Sequence, residues 1–320
     1  INPQPKIQVS TDNVLCYDGD AIFDITNPHI LGTGSWRYDV SVAYPGGVTG
    51  DWVAGLTDQT LTGVGALTDN LTNTTDDVQT VVYTFTPHIN PNDGDAECQN
   101  GVQVILNVEI NPQPKIQVST DNVLCYDGDA IFDITNPHIL GTGSWRYDVS
   151  VVYPGGVTGD WVAGLTDQTL TGVGALTDNL TNTTDDVQTV VYTFTPHINP
   201  NDGDAECQNG VPVVLNVEIN PQPKIQVSTD NVLCYDGDAV FDITNPHILG
   251  TGSWRYDVSV VYPGGVTGDW VAGLTDQTLT GVGALTDNLT NTTDDVQTVV
   301  YTFTPHINPN DGDAECQNGV

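Results

Sequence analysis

The chain writes the same sentence three times. Ile1, Ile110 and Ile219 each open the same run, a period of 109 residues, and internal repetition at that scale must be settled before any local reading. A unit of about a hundred residues is the usual size of one independently folding domain with its own core. Three domains are therefore expected, at 1–109, 110–218 and 219–320. The third stops before the segment that reads QVILNVE in the first copy and PVVLNVE in the second. Only four positions vary: Ile22/Ile131/Val240, Ala43/Val152/Val261, Gln103/Pro212 and Ile105/Val214. Such near-identity implies recent duplication and argues against a separate task for each copy.

Within a copy, short runs rich in Val, Ile, Tyr, Phe and Trp alternate with clusters of Gly, Pro, Asn and Asp, and no window keeps helical spacing. The pattern predicts strands near 6–10, 21–25, 36–44, 48–53, 60–64, 66–71, 78–86 and 102–108. The fold class expected is all-β: three tandem immunoglobulin-like β-sandwich domains in a linear array. Asn111, Pro112, Gln113 and Pro114 lie between two apolar runs. Prolines there stiffen the backbone and remove ladder donors, so the segment reads as a joint between domains. Trp36 and Trp52 are expected in the core, one of them against a disulfide. His29 and His88 each follow a proline and read as ordinary loop residues.

Charge narrows the function classes. Each full copy carries fourteen Asp and Glu against one Lys and one Arg, and the formal net charge is -35. A field of that sign repels nucleic acid and anionic membrane, keeps domains apart and attracts cations. No apolar run is long enough to span a membrane, and membrane insertion is not expected. The chain contains no Met and no signal-like start; it reads as a piece trimmed from a longer secreted protein.

Six cysteines fall two to a copy, at Cys16 and Cys98, Cys125 and Cys207, Cys234 and Cys316. They lack metal-type close spacing, so disulfides in an oxidising, extracellular compartment are the natural reading. Pairing within each domain is expected, because small secreted domains usually staple themselves. The alternative follows from topology: in a sandwich the two cysteine loops lie at opposite ends, which would pair Cys16 with Cys207 and Cys125 with Cys316. Carboxylates flank the cysteines: Asp18, Asp20, Asp93, Asp95 and Glu97 in the first copy, Asp127, Asp129, Asp202, Asp204 and Glu206 in the second, Asp236, Asp238, Asp311, Asp313 and Glu315 in the third. If each pair bonds, five carboxylates converge, and calcium, which takes six to eight oxygens, is the cation expected there. Two solvated acidic loops are the alternative.

The run LTNTTDDVQTVVYTFTPHINPNDGDAECQNG at 71–101 resembles the PKD-like domains of large Bacteroidota surface proteins. The resemblance rests on Cys16 after the first strand, the LTN strand from Leu71 to Asn73, Val82 to Pro87, Cys98 with Gly101, and the proline-containing exit from Val108 to Pro114. It implies tandem immunoglobulin-like stalk domains in cell-surface or secreted adhesins, including those exported by the type IX route in gliding bacteria, and no catalysis. The acidic Asp-Gly-Asp sequence beside Cys16 departs from the Ser- and Thr-rich family pattern.

The function expected is a non-catalytic structural array, the stalk or filament of an extracellular adhesin, stiffened by disulfides and calcium. Its partners would be neighbouring copies of the same repeat and other chains in a filament. The alternative is a glycan- or protein-binding module that acts by avidity. No spacing of Ser, His and Asp suggests a nucleophile.

Overall fold

The computed structural model describes the chain except residues 28–30, 32–33, 61–62, 92–95, 100, 137–139, 141–142, 170–171, 200–206, 209, 246, 248, 250–251, 279–280, 309–315 and 317–320. The first copy folds into nine strands: β1 (Gln8–Ser10), β2 (Val14–Leu15), β3 (Asp18–Thr26), β4 (Ser35–Ala43), β5 (Val48–Thr49), β6 (Leu56–Thr60), β7 (Gly63–Asn73), β8 (Gln79–Asn90) and β9 (Val104–Ile110). Two sheets form, ordered β1-β3-β7-β5 and β2-β9-β8-β4-β6. All pairings are antiparallel except that of β2 with β9, which runs parallel through Val14 with Glu109 and Leu15 with Ile110. This is an immunoglobulin-like sandwich whose first strand divides between the two sheets. The second copy repeats every strand and pairing 109 residues on.

Period-2 alternation builds the core, because successive side chains leave a strand on opposite faces. On β8, Val81, Tyr83 and Phe85 point inward and are fully buried; Ala21, Phe23 and Ile25 of β3 and Val108 and Ile110 of β9 meet them. Trp52 packs on Phe23 and Tyr83 at 5.4 and 5.8 Å between ring centroids, so it belongs to the core and not to a disulfide. The four variable positions lie on the outside: Ile22 and Ile105 are among the exposed apolar residues, and Gln103 and Ala43 are exposed as well.

Turns explain where the expected strands differ. The run expected at 48–53 stops at Thr49, and Gly47 supplies the positive φ of 85° that the Pro45–Val48 turn requires. Of the run expected at 60–64, Thr60 ends β6, residues 61–62 lie outside the described residues, and 63–64 join the run at 66–71 in one strand, β7; β2 and most of β6 are not among the expected strands, because two or five mixed residues carry too little periodicity. His88 is a strand residue of β8, not a loop residue; His29 lies outside the described residues.

A buried carboxylate ties the two sheets of each sandwich. Asp69 on β7 is fully buried; its Oδ2 accepts hydrogen bonds from the hydroxyls of Tyr44 and Tyr83, both at 2.7 Å, and its Oδ1 accepts from the Asp51 amide at 2.7 Å. Tyr44 in turn accepts from the Trp52 amide. Asp178 and Asp287 hold the same positions in the other copies. Replacing Asp69 by Ala leaves two hydroxyls and an amide in an apolar site, and the first sandwich is expected to lose about 3 kcal/mol, read as a lowered melting transition for one domain of three. Burial first, and the carboxylate hydrogen bond second, raise the hydroxyls of Tyr44, Tyr83, Tyr153, Tyr192 and Tyr301 above their ordinary value; Tyr262 is pushed up to about 12. The folded state therefore keeps protons that the unfolded chain releases above about pH 10, so this stabilisation is complete below pH 10 and declines as pH rises toward 12. In the Asp69→Ala variant the first domain loses the carboxylate hydrogen bond, and its alkaline transition shifts least.

The third copy is a shorter version. Its sheets are ordered as in the first copy on one side, but the other contains only Leu274–Thr278, Ser253–Val261 and Val300–Asn308. Among the described residues there is no counterpart of β9, and the segment matching β2 forms no strand pairing there.

Candidate functional site

Chain geometry places Cys16 and Cys98 at opposite ends of one sandwich. Leu15 sits level with Ile110, which pairs with Gln79 at the start of β8, whereas Cys98 bridges Ile89 near the end of β8. Ten residues of strand separate these levels, roughly 30 Å, and a disulfide spans at most about 7 Å between Cα atoms. Pairing within a domain, the expectation from sequence, is thereby overturned. Cys16 is bonded to Cys207 with Cα atoms 5.3 Å apart, and Cys125 to Cys316 with Cα atoms 5.2 Å apart. Each bond joins the trailing end of one sandwich to the leading end of the next. Cys98 and Cys234, at the two outer ends, are free thiols.

Identical sequence in different surroundings shows what the junction covers. Asn2 is half-buried and Pro3 exposed, whereas their counterparts at the two seams, Asn111, Pro112, Asn220 and Pro221, are buried. Cys98 is half-buried, while Cys207 and Cys316 are 3% and 1% exposed. The Pro joint is thus a packed seam. Its stiffness comes from burial as well as from the fixed φ of proline. The carboxamides of Asn111 and Asn220 are fully enclosed with no hydrogen-bond partner among the described residues, polar sites of the kind that ordered water fills. An exposed ion pair crosses each seam, Lys115 to Asp76 and Lys224 to Asp185, both at 2.8 Å. The Lys224 hydrogen bond holds the Asp185 carboxyl below its ordinary value, but pairs so exposed contribute little to stability.

The disulfide pattern regroups the candidate calcium ligands. Asp18 and Asp20 lie on β3 with exposed side chains, and Asp18 Oδ1 accepts from Thr72 Oγ1 at 3.1 Å. Asp127, Asp129, Asp236 and Asp238 repeat this placement. Glu97 sits at the other end of its sandwich, so the five carboxylates of one copy do not share one place. Asp18 and Asp20 lie on the strand that follows the Cys16–Cys207 bond. Asp93, Asp95, Asp202, Asp204, Glu206, Asp311, Asp313 and Glu315 lie outside the described residues.

Glu97 has another neighbour. His88 Nε2 lies 3.3 Å from Asp58 Oδ1 and 3.9 Å from Glu97 Oε2, and the three ligand atoms all fall within 4.8 Å of one another. Asp58 has a φ of 48°, held by its amide donating to Asp39 Oδ1 at 2.8 Å and by Arg37 Nη1 donating to its carbonyl at 3.1 Å. Asp167 with His197 and Asp276 with His306 repeat the contact at 3.4 and 3.5 Å. Residues from three separate segments meet here, and no sequence spacing signals it.

No helix among the described residues is long and apolar enough to cross a membrane. No curated protein matches the sequence. Among solved structures the chain is similar to the chicken CNTN1 FN1–FN3 domains (8% identity, covering 97% of this chain and 94% of that one, TM-score 0.27) and to an ICAM-5 D1–D4 ectodomain fragment (10% identity, 95% and 75%, TM-score 0.33). The PKD-like domain family matches residues 38–114 and 149–223, each span running from inside β4 or its counterpart across a junction to the proline joint. The chain is a tandem array of immunoglobulin-like sandwiches similar to PKD-like domains, a structural or binding repeat region.

Proposed function

We propose that the chain is a stalk segment: a row of sandwiches whose junctions are locked so that the array holds its length and direction outside the cell. The observation that carries this reading is the pair of bonds Cys16–Cys207 and Cys125–Cys316, each of which spans two sandwiches and encloses 191 residues of sequence. A domain-internal disulfide would protect one fold; a bond across a seam restrains the angle between two. The buried prolines and asparagines of the seam act in the same sense. Trp52, Trp161 and Trp270 are core residues, at most 7% exposed, whereas Trp36, Trp145 and Trp254 are half-buried on their strands and not in the core. Non-catalytic service in an exported adhesin fits the PKD-like match and the oxidising compartment that disulfides require. Other copies of the repeat are its proposed partners.

Calcium is the cation we propose for the carboxylates that flank the seam cysteines in sequence, Asp18 and Asp20 after Cys16 with Asp202, Asp204 and Glu206 before Cys207, and Asp127 and Asp129 after Cys125 with Asp311, Asp313 and Glu315 before Cys316. One experiment tests both parts. Small-angle scattering of the oxidised protein should show a rod of fixed maximum dimension, and reduction should broaden it into a flexible chain of three domains. A rod unchanged by reductant would sink the role of the bonds. The same measurement in calcium and in chelator should differ in the oxidised sample, and identical profiles would leave these loops as solvated surface.

A further inference from the structure

The cluster of Asp58, His88 and Glu97 serves neither the core nor the seam disulfides, and its donor set has a chemistry of its own. We propose that these three side chains bind one zinc-class divalent ion, a site that does not rest on the stalk reading and that takes Glu97 out of the calcium set.

His88 supplies the first part of the case. Its side chain is 7% exposed, held in β8 opposite Arg37 of β4, and its Nε2 is directed at two carboxylates from different segments. A buried imidazole nitrogen facing carboxylates is a donor set for zinc, copper or nickel. Calcium prefers six to eight oxygens and is poorly served by three donors that include a nitrogen.

Geometry supplies the second. With zinc–nitrogen and zinc–oxygen bonds of about 2.0–2.2 Å, neighbouring ligand atoms in a tetrahedron stand about 3.4 Å apart. Asp58 Oδ1 and His88 Nε2 are 3.3 Å apart, and Glu97 Oε2 is 3.9 Å from the same nitrogen. Asp58 and Glu97 are 53% and 35% exposed at the side chain, so small torsional changes close the remaining gap and a water can take the fourth position.

Arg37 is the opposing charge, and its placement is compatible. Its Nη1 lies 3.7 Å from Asp58 Oδ2, while His88 Nε2 faces the other oxygen, Oδ1, which is left for the ion. A guanidinium on the outer oxygen orients a ligating carboxylate, as outer partners of metal ligands commonly do. The net charge of -35 raises the local concentration of cations around the site.

The test uses the whole oxidised chain with Cys98 and Cys234 alkylated, so that neither thiol supplies a ligand. Cobalt(II) is titrated as a spectroscopic probe and zinc by calorimetry. Saturable binding is expected, at least 100-fold tighter for zinc than for magnesium, with one equivalent lost in His88→Ala. Glu97→Gln, a change at the surface, should weaken that equivalent at least tenfold without altering the fold, and so keeps the test valid if His88→Ala unfolds the sandwich. Zinc uptake no tighter than that of magnesium overturns the proposal. A stoichiometry and affinity unchanged in both variants also overturns it, assigning the uptake to the diffuse acidic surface. Scattering of the oxidised rod is unaffected by either result, so the stalk reading stands or falls separately.

Discussion

Pulled from its two ends, the oxidised chain should stop extending at roughly 350 Å, whereas the reduced chain should reach roughly 1,100 Å, taking about 3.5 Å per residue. The difference follows from how the bonds Cys16–Cys207 and Cys125–Cys316 overlap. The shortest covalent route runs from residue 1 to Cys16, crosses to Cys207, returns along the chain to Cys125, crosses to Cys316 and ends at residue 320, about 100 residues of the whole at ordinary Cα spacing. Tension enters the second sandwich at its own two cysteines, while the stretches 17–124 and 208–315 lie outside the loaded route. Single-molecule force extension reads this directly. Pairing inside each sandwich would give a route of about 75 residues and a limit of roughly 260 Å, so the measured length separates the two patterns. An oxidised protein that extends as far as the reduced one would sink the crossed arrangement altogether.

Appending the eight residues QVILNVEI to the third sandwich should bring its stability up to that of its neighbours. The copies show what the strand does. Val81, Tyr83 and Phe85 are fully buried where β9 pairs alongside β8, but their counterparts Val299, Tyr301 and Phe303 are only half-buried. The strand that starts at Gln79 in the first copy starts three residues later, at Val300, in the third. Asn73 Nδ2 donates to the Asp77 carbonyl and to the Ile110 carbonyl, the latter at 3.0 Å; Asn291 Nδ2 keeps only the first of these, to Asp295, among the described residues. A cavity of about 450 Å³, lined by Leu233, Tyr235, Phe241, Leu289 and Tyr301 among others, occupies the strand's place. Burying the counterparts of Val108 and Ile110 contributes about 1.5–3 kcal/mol each before the cost of ordering the segment, so a net gain on the order of 3 kcal/mol is expected. Calorimetry should show a separate low transition for the third sandwich that merges with the others in the extended protein, and not in one extended by a scrambled sequence. An unmoved transition would mean that the groove does not accept the strand.

The residues of β8 explain why so much of the fold was legible. A strand with one buried face needs alternate apolar side chains, and Val81, Tyr83 and Phe85 write that requirement into neighbouring letters. Repetition marked out the copies, and the prolines at 112 and 114 marked the joint, because proline acts on its own backbone whatever surrounds it. The short strands β2 and β6 escaped, since their pairing partners rather than their own composition make them strands.

By itself the sequence determined three near-identical all-β units, their acidic surface and cysteines suited to oxidation; each of these depends on composition or on period along the chain. Tertiary structure decided which cysteines meet. Cys16 is nearer in sequence to Cys98 than to Cys207, yet the first pair sits at opposite ends of a sandwich and the second at one seam. The same holds for the Asp69 hydrogen bonds to Tyr44 and Tyr83 and for Asp58, His88 and Glu97. Contacts between distant segments are set by how strands stack and domains abut, and a pattern read along one strand has no record of what faces it from another.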